Sequence, residues 1–157
     1  FDFYDGGGVD VSVLGAVEID EEGSVNVSQF NGRFAGVGGF VNISQCAKRV
    51  VFCCTFTAGD LRVSVDEGKL QIDREGTHTK FVKRVAQVCF HGPTAVARGQ
   101  QVLYVTERAV FELTKEGLEL IEVAEGISLE KQILALMEFK PVCSSPGPMP
   151  SSCFFSS

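Results

Sequence analysis

Val50-Val51-Phe52-Cys53-Cys54 is an uninterrupted apolar run between the basic pair Lys48-Arg49 and the polar Thr55. A run of this length and flanking predicts a strand buried on both faces, and so one in the middle of a sheet. It is far too short to cross a bilayer. On its C-terminal side Leu61, Val63 and Val65 alternate with Arg62 and Ser64, and Asp66-Glu67-Gly68 turns the chain into Leu70 and Ile72. That pattern predicts a hairpin with one wet face. Residues 102–105 repeat the buried-strand pattern, and residues 110–113 turn at Lys115-Glu116-Gly117 into residues 118–123 as a further hairpin. Ser128 then caps a helix, with Glu130 in its first turn and Leu129, Ile133, Leu136 and Met137 along one side.

Towards the N-terminus, residues 1–8 end in three glycines and read as a loop. Residues 14–19 and the alternating Val25-Asn26-Val27-Ser28 flank Asp20-Glu21-Glu22-Gly23, which predicts strand, turn and strand. Phe40, Val41, Ile43 and Ala47 fit one side of a short helix leading into the 50–54 strand. Buried runs and hairpins with short helices between them define the fold class as α/β, a mixed sheet with flanking short helices and added antiparallel hairpins.

The chain has 157 residues, 45% of them hydrophobic, enough for the core of one domain or a large piece of one. A formal charge of −6 argues against a nucleic-acid surface, which needs clustered Lys and Arg. The six cysteines, at 46, 53, 54, 89, 143 and 153, form no C-x-x-C pair, and His78 and His91 lack metal-ligand spacing. No metal site is expected, and the cysteines are expected to be reduced and buried. With no secretory signal pattern and no span of membrane length, the expectation is a cytoplasmic protein without a membrane partner. The sequence begins at Phe1 rather than Met, which suggests a piece of a longer protein.

Between the first predicted hairpin and the 50–54 strand lies Arg33-Phe34-Ala35-Gly36-Val37-Gly38-Gly39-Phe40. Glycines allow backbone angles closed to other residues and let a ligand approach the amide N–H groups, so such a loop can hold an oxyanion or a phosphate. It can equally be a bend where two elements pack closely. The spacing fits neither G-x-G-x-x-G nor a P-loop, so a nucleotide fold is disfavoured.

Three ordered blocks together resemble the acyl-CoA:carboxylate CoA-transferases, most closely the acetate or propionate branch. They are FDFYDGGGVDVSVLGAVEID from Phe1, GSVNVSQFNGRFAGVGGFVNISQCAKRVVFCCTFTAG from Gly23, and VLYVTERAVFELTKEGLELIEVAEGISLEKQILALMEFKP from Val102. The resemblance implies that 1–141 is the C-terminal portion of a CoA-transferase domain. It also implies that CoA moves between an acyl-CoA and a small carboxylate through a glutamyl-CoA thioester on the enzyme, with no tightly bound cofactor. The family's Gly-x-Gly-Gly-Phe loop, facing the acyl-CoA, maps onto Gly36, Val37, Gly38, Gly39 and Phe40, whose amides would stabilise the oxyanion formed at each carbonyl addition.

Two departures qualify this. The family's nucleophilic glutamate lies in a Glu-x-Gly segment upstream of the Phe-Asp-Phe-Tyr-Asp block, so no catalytic residue is assigned here, and a missing N-terminal part of the same enzyme is the expected partner. Glu22, Glu67, Glu75, Glu116 and Glu125 each precede glycine, the usual sequence of a turn. Secondly, residues 142–157 are rich in Ser and Pro where the family has a short charged ending, and composition predicts a disordered tail outside the family domain. A homo-oligomer is compatible with the resemblance. The alternatives to a partial enzyme are a non-catalytic CoA-binding or interaction module, or an inactive truncated gene product.

Overall fold

The computed structural model describes residues 11–27, 29–30, 33–34, 47–143 and 145–149. Its main sheet has six strands, β1 (Val11–Gly15), β6 (Arg49–Cys53), β11 (Gln101–Val105), β12 (Ala109–Thr114), β13 (Gly117–Val123) and β14 (Gly147–Pro148), in that spatial order. β1, β6 and β11 run parallel, β12 and β13 continue as an antiparallel meander, and β14 lies parallel to β13. The α/β class with added hairpins is therefore what the chain adopts.

Four small two-stranded pieces surround the sheet. These are β2 (Glu18–Ile19) with β3 (Val25–Asn26), β4 (Gln29–Phe30) with β5 (Arg33–Phe34), β7 (Thr57–Ala58) with β10 (His78–Thr79), and β8 (Arg62–Asp66) with β9 (Lys69–Arg74). The helices among the described residues are short: α1 (Gly92–Ala97) and α2 (Leu129–Gln132), the latter running into a 3-10 turn over Leu134–Leu136.

Alternation along the strands sends Val50, Phe52, Val102, Tyr104, Phe111, Leu118 and Leu120 into one core. Phe52 stacks on Tyr104 at 5.4 Å between centroids and meets Phe90 edge-on at 5.2 Å. Phe56, Phe81 and Phe111 form a second aromatic group in the same core. Each fully buried phenylalanine contributes about 1.5–3 kcal/mol relative to exposure. Tyr104 donates its hydroxyl to the Gly23 carbonyl, and burial, with the Asp20 charge, pushes its pKa well up. Asp20 itself accepts from the N–H groups of Glu22 and Ser24 at 3.0 Å, closing the predicted turn. Gly23 sits at φ +82°, a conformation that favours glycine, and a Cβ there would stand 2.5 Å from Leu113 Cδ1.

The expected 50–54 strand is interior, between β1 and β11, but it buries one face only. Val50 and Phe52 are inaccessible whereas Val51 is half-buried and Cys53 is exposed. The expectation of buried cysteines fails at Cys53 and Cys143, both exposed, while Cys54 and Cys89 are half-buried. Periodicity could not separate a strand buried on both sides from one whose second face is apolar but open.

Other boundaries also differ. The 14–19 run is not one strand, because it breaks after Gly15, and only Glu18–Ile19 pairs with Val25–Asn26. The hairpin of β8 and β9 turns at Glu67-Gly68 as predicted, yet every residue of β8 is exposed. His91-Gly92-Pro93 has the composition of a turn. It instead opens α1, a helix whose N-cap is His91, which accepts from the Thr94 N–H through Nδ1.

Ser128 caps α2 as expected, although the helix has only four residues. Of the segment expected to be disordered, the described part lies against the sheet. Val142 bridges Glu119, Gly147–Pro148 pairs with Glu122 and Val123, and Met149 is buried with Leu70, Val110 and Ala124. The predicted loop at 1–8 and the predicted helix over residues 40–47 lie outside the described residues, apart from Ala47, which is buried and not helical.

Candidate active site

Gly36, Val37, Gly38, Gly39 and Phe40 also lie outside the described residues. The flanks of their segment are described: the β4–β5 hairpin ends at Phe34, and the chain resumes at Ala47, which is buried at the start of β6. Lys48 and Arg49 are exposed there, and Arg49 Nε donates to Gln101 Oε1 at 2.7 Å.

In open α/β sheets ligands bind beyond the carboxyl ends of the parallel strands. Here those ends are Gly15, Cys53 and Val105, side by side in register. Beyond them converge Cys54, Phe56, Thr57, Glu107 and Arg108. Arg108 has no exposed side-chain surface, and its guanidinium makes four hydrogen bonds to the loops around it. Nη1 and Nη2 donate to Glu75 Oε2 at 2.9 Å and Oε1 at 2.8 Å, Nε donates to Glu107 Oε1 at 2.7 Å, and Nη1 also reaches the Gln132 carbonyl at 3.0 Å. The guanidinium carbon stands 4.9 Å from the centroid of the Phe56 ring. Glu107 Oε2 in turn accepts from the Phe56 N–H at 2.8 Å, and Thr57 Oγ1 donates to Glu75 Oε1 at 2.6 Å.

Burial alone would raise the Glu75 pKa, but hydrogen bonds from Arg108 and Thr57 and the Arg108 charge outweigh it and hold the carboxyl below its ordinary range. Burial likewise opposes charge on Arg108, and Glu75 with Glu107 more than restores it. Cys54 shows the uncompensated case. Burial pushes its thiol up to about 11, the nearby Glu107 adds to this, and Lys80 only partly offsets it. A neutral thiol at this position is no nucleophile.

The turn reading of the five glutamates needs one correction. Glu75 follows β9 but is a structural anion, with both oxygens committed to Arg108. Glu22, Glu67, Glu116 and Glu125 are exposed at turns, as read. Sequence reasoning missed Arg108 altogether, although a charged Glu-Arg pair set between two apolar strands was the available signal. His78 is exposed and His91 serves as a helix cap. Among the described residues no group of three or more His, Cys, Asp or Glu could hold a metal ion.

A groove of about 440 Å³ lies at the opposite, amino-terminal end of the parallel strands. It is lined by Glu21, Glu22, Lys115, Glu116, Phe139 and Lys140, among others. Its three carboxylates outnumber Lys115 and Lys140, which disfavours an anionic ligand.

No family model matches the chain. It is 49% identical over 144 residues to acetate CoA-transferase YdiF of Escherichia coli K12, and 47% identical over 150 residues to caffeate CoA-transferase of Acetobacterium woodii. Each match covers 92% of this chain but only 27% and 28% of those proteins, so the chain spans about a quarter of their length. The crystal structure of the E. coli O157:H7 acyl-CoA transferase YdiF as a thioester complex with CoA superposes on 99% of this chain and 31% of that one. The TM-score is 0.97 at 45% identity. No helix among the described residues is long and apolar enough to cross a membrane. By sequence identity and by the superposition of nearly all its residues, this chain belongs to the CoA-transferase family, of which it carries one portion.

Proposed function

We propose that the chain is a working part of a cytoplasmic CoA-transferase that moves CoA between a short-chain acyl-CoA and a small carboxylate. In this reading a glutamate outside the chain, in the N-terminal part of the same enzyme, attacks the thioester carbonyl and later carries CoA as a glutamyl thioester. Gly36, Val37, Gly38, Gly39 and Phe40 supply the acyl-CoA loop, with the Gly38 and Gly39 amides donating to the oxyanion. The CoA thioester is substrate, and no tightly held cofactor is needed.

The observation that carries this is 49% identity to an acetate CoA-transferase over 92% of the chain. Glu75 supports placing the nucleophile elsewhere, because a carboxylate whose two oxygens are both held by a buried arginine is not free to attack. The test is turnover by purified 1–157 with acetyl-CoA and a second carboxylate, followed by borohydride trapping. No exchange and no trapped glutamyl thioester are expected. Exchange by the isolated chain would mean that one of its own glutamates is the nucleophile.

A further inference from the structure

We infer that the outer edge of β8 pairs with the β8 of a second copy of this chain, the two strands running antiparallel about Ser64. β8 is hydrogen-bonded on one side only, to β9, and among the described residues no strand lies against its other side. β9 is tied in on its far side, where the Leu70 N–H donates to the Glu125 carbonyl at 2.8 Å. That bond also fixes which groups of β8 are free. Since the Leu70 N–H points away from β8, its pair with Val65 is one in which the backbone groups of both strands face outward, and alternation gives the same for Val63 opposite Ile72. The N–H and C=O groups of Val63 and Val65 therefore form an open edge, in a strand whose every residue is exposed. Such an edge is a template for another strand.

The sequence of this edge is complementary to its own reverse. Antiparallel pairing of Arg62-Val63-Ser64-Val65-Asp66 about Ser64 sets Arg62 opposite Asp66 of the second copy, Val63 opposite its Val65, and Ser64 opposite its Ser64. In that register Val63 and Val65, which hold the free backbone groups, are the residues that exchange hydrogen bonds. Their side chains share the face of Leu70 and Ile72 and are 42% and 44% exposed, so pairing extends the second apolar cluster across four valines. On the other face the charges match. Within its own hairpin Arg62 lies opposite Arg74, which is paired with Asp60 at 3.9 Å, and Arg62 has no ion pair among the described residues.

The alternatives to this arrangement are unfavourable. Parallel pairing in register would set Arg62 against Arg62 and Asp66 against Asp66, and like charges directly opposite one another destabilise a sheet. A slip by one residue would set the valines against the polar face. The antiparallel register is an isologous two-fold contact, in which every residue pair occurs twice. It rests on the hairpin and not on the proposed transfer chemistry, so its test reads association rather than turnover.

Sedimentation velocity of purified 1–157 over about a hundredfold range of concentration should show a monomer–dimer equilibrium. Arg62→Glu and Asp66→Arg each set like charges opposite one another at two symmetric places, and each variant alone should weaken the dimer about tenfold. Mixed in equal amounts they should recover it, because the new glutamate of one faces the new arginine of the other while the native Asp66 and Arg62 face each other. Val63→Lys, away from the hairpin turn, is the second variant and should also dissociate the dimer, with thermal unfolding showing that each protein is folded. A chain that stays monomeric at every concentration would overturn the inference. So would a dimer that Arg62→Glu and Val63→Lys leave intact, because another surface would then hold it, or folded charge variants whose mixture fails to recover association.

Discussion

Arg108 and Glu75, 33 positions apart in sequence, meet as a two-point fork in which both carboxylate oxygens and both terminal guanidinium nitrogens are used. Through this pair the end of β9 is fixed to the β11–β12 connection. Through Glu107 and Gln132 the same guanidinium fixes the chain after β6 and the end of α2. One buried cation therefore sets the loops at the carboxyl ends of the parallel strands.

Removing Glu75 should expose the cost of that arrangement. Breaking a buried pair by deleting one partner costs about 3–5 kcal/mol, because the remaining charge stays buried. Glu107 still faces Arg108 and the Glu75 side chain is 31% exposed, so Glu75→Ala should cost about 3 kcal/mol, the lower end. Urea unfolding of 1–157 measures it. A loss below about 0.5 kcal/mol would make the pair an ordinary surface contact.

The same pair gives a pH dependence with a definite sign. The Glu75 carboxyl is held below its ordinary value of 4.5, so its contribution is fully present above that pH and is lost as pH falls through the lower, folded-state value. The urea midpoint should therefore fall on acidification below about 4.5, and Glu75→Gln should flatten that part of the profile. An identical acid limb in both proteins would remove Glu75 from the account.

The cysteines separate by environment. With its thiol pushed to about 11, Cys54 is thiolate in about one molecule in a thousand at pH 8. Iodoacetamide at pH 8 followed by peptide mass spectrometry should find Cys54 alkylated long after the exposed Cys53, at a rate rising about tenfold per pH unit. Equal rates at the two neighbours would contradict the burial of Cys54.

Much of the fold was legible in the sequence, and the reasons for the rest are physical. The Asp20-to-Gly23, Glu67-Gly68 and Lys115-to-Gly117 turns carry their own chemistry, and the apolar runs at 50–54 and 102–105 identify interior strands. What a run cannot report is which of its faces is covered, because that depends on chain not in contact locally. Hence Cys53 and β8 were misjudged. The α1 helix was missed because six residues are too few for periodicity, leaving only the His91 cap and Pro93 as signals. The site was less legible still. The Arg108 network joins Phe56, Glu75, Glu107 and Gln132 from separate elements, and such long-range polar partners leave no local pattern.

The central claim is that the glycine segment serves the transfer reaction and not merely a bend. It is tested most directly by the rate of CoA transfer from acetyl-CoA to a second carboxylate in a chimera in which this chain, carrying Gly39→Val, replaces the matched 144 residues of E. coli YdiF. On the proposed reading the valine side chain would crowd the acyl-CoA and displace an amide donor, and losing the hydrogen bond of one oxyanion donor costs about 3 kcal/mol, roughly a hundredfold in rate. The account predicts that loss at an unchanged thermal midpoint. Gly68→Val is the control, since Gly68 at φ +79° turns the β8–β9 hairpin and its replacement should lower stability without lowering the rate of the folded fraction. A Gly39→Val chimera that is less stable but transfers CoA at the parent rate per folded molecule would contradict the claim.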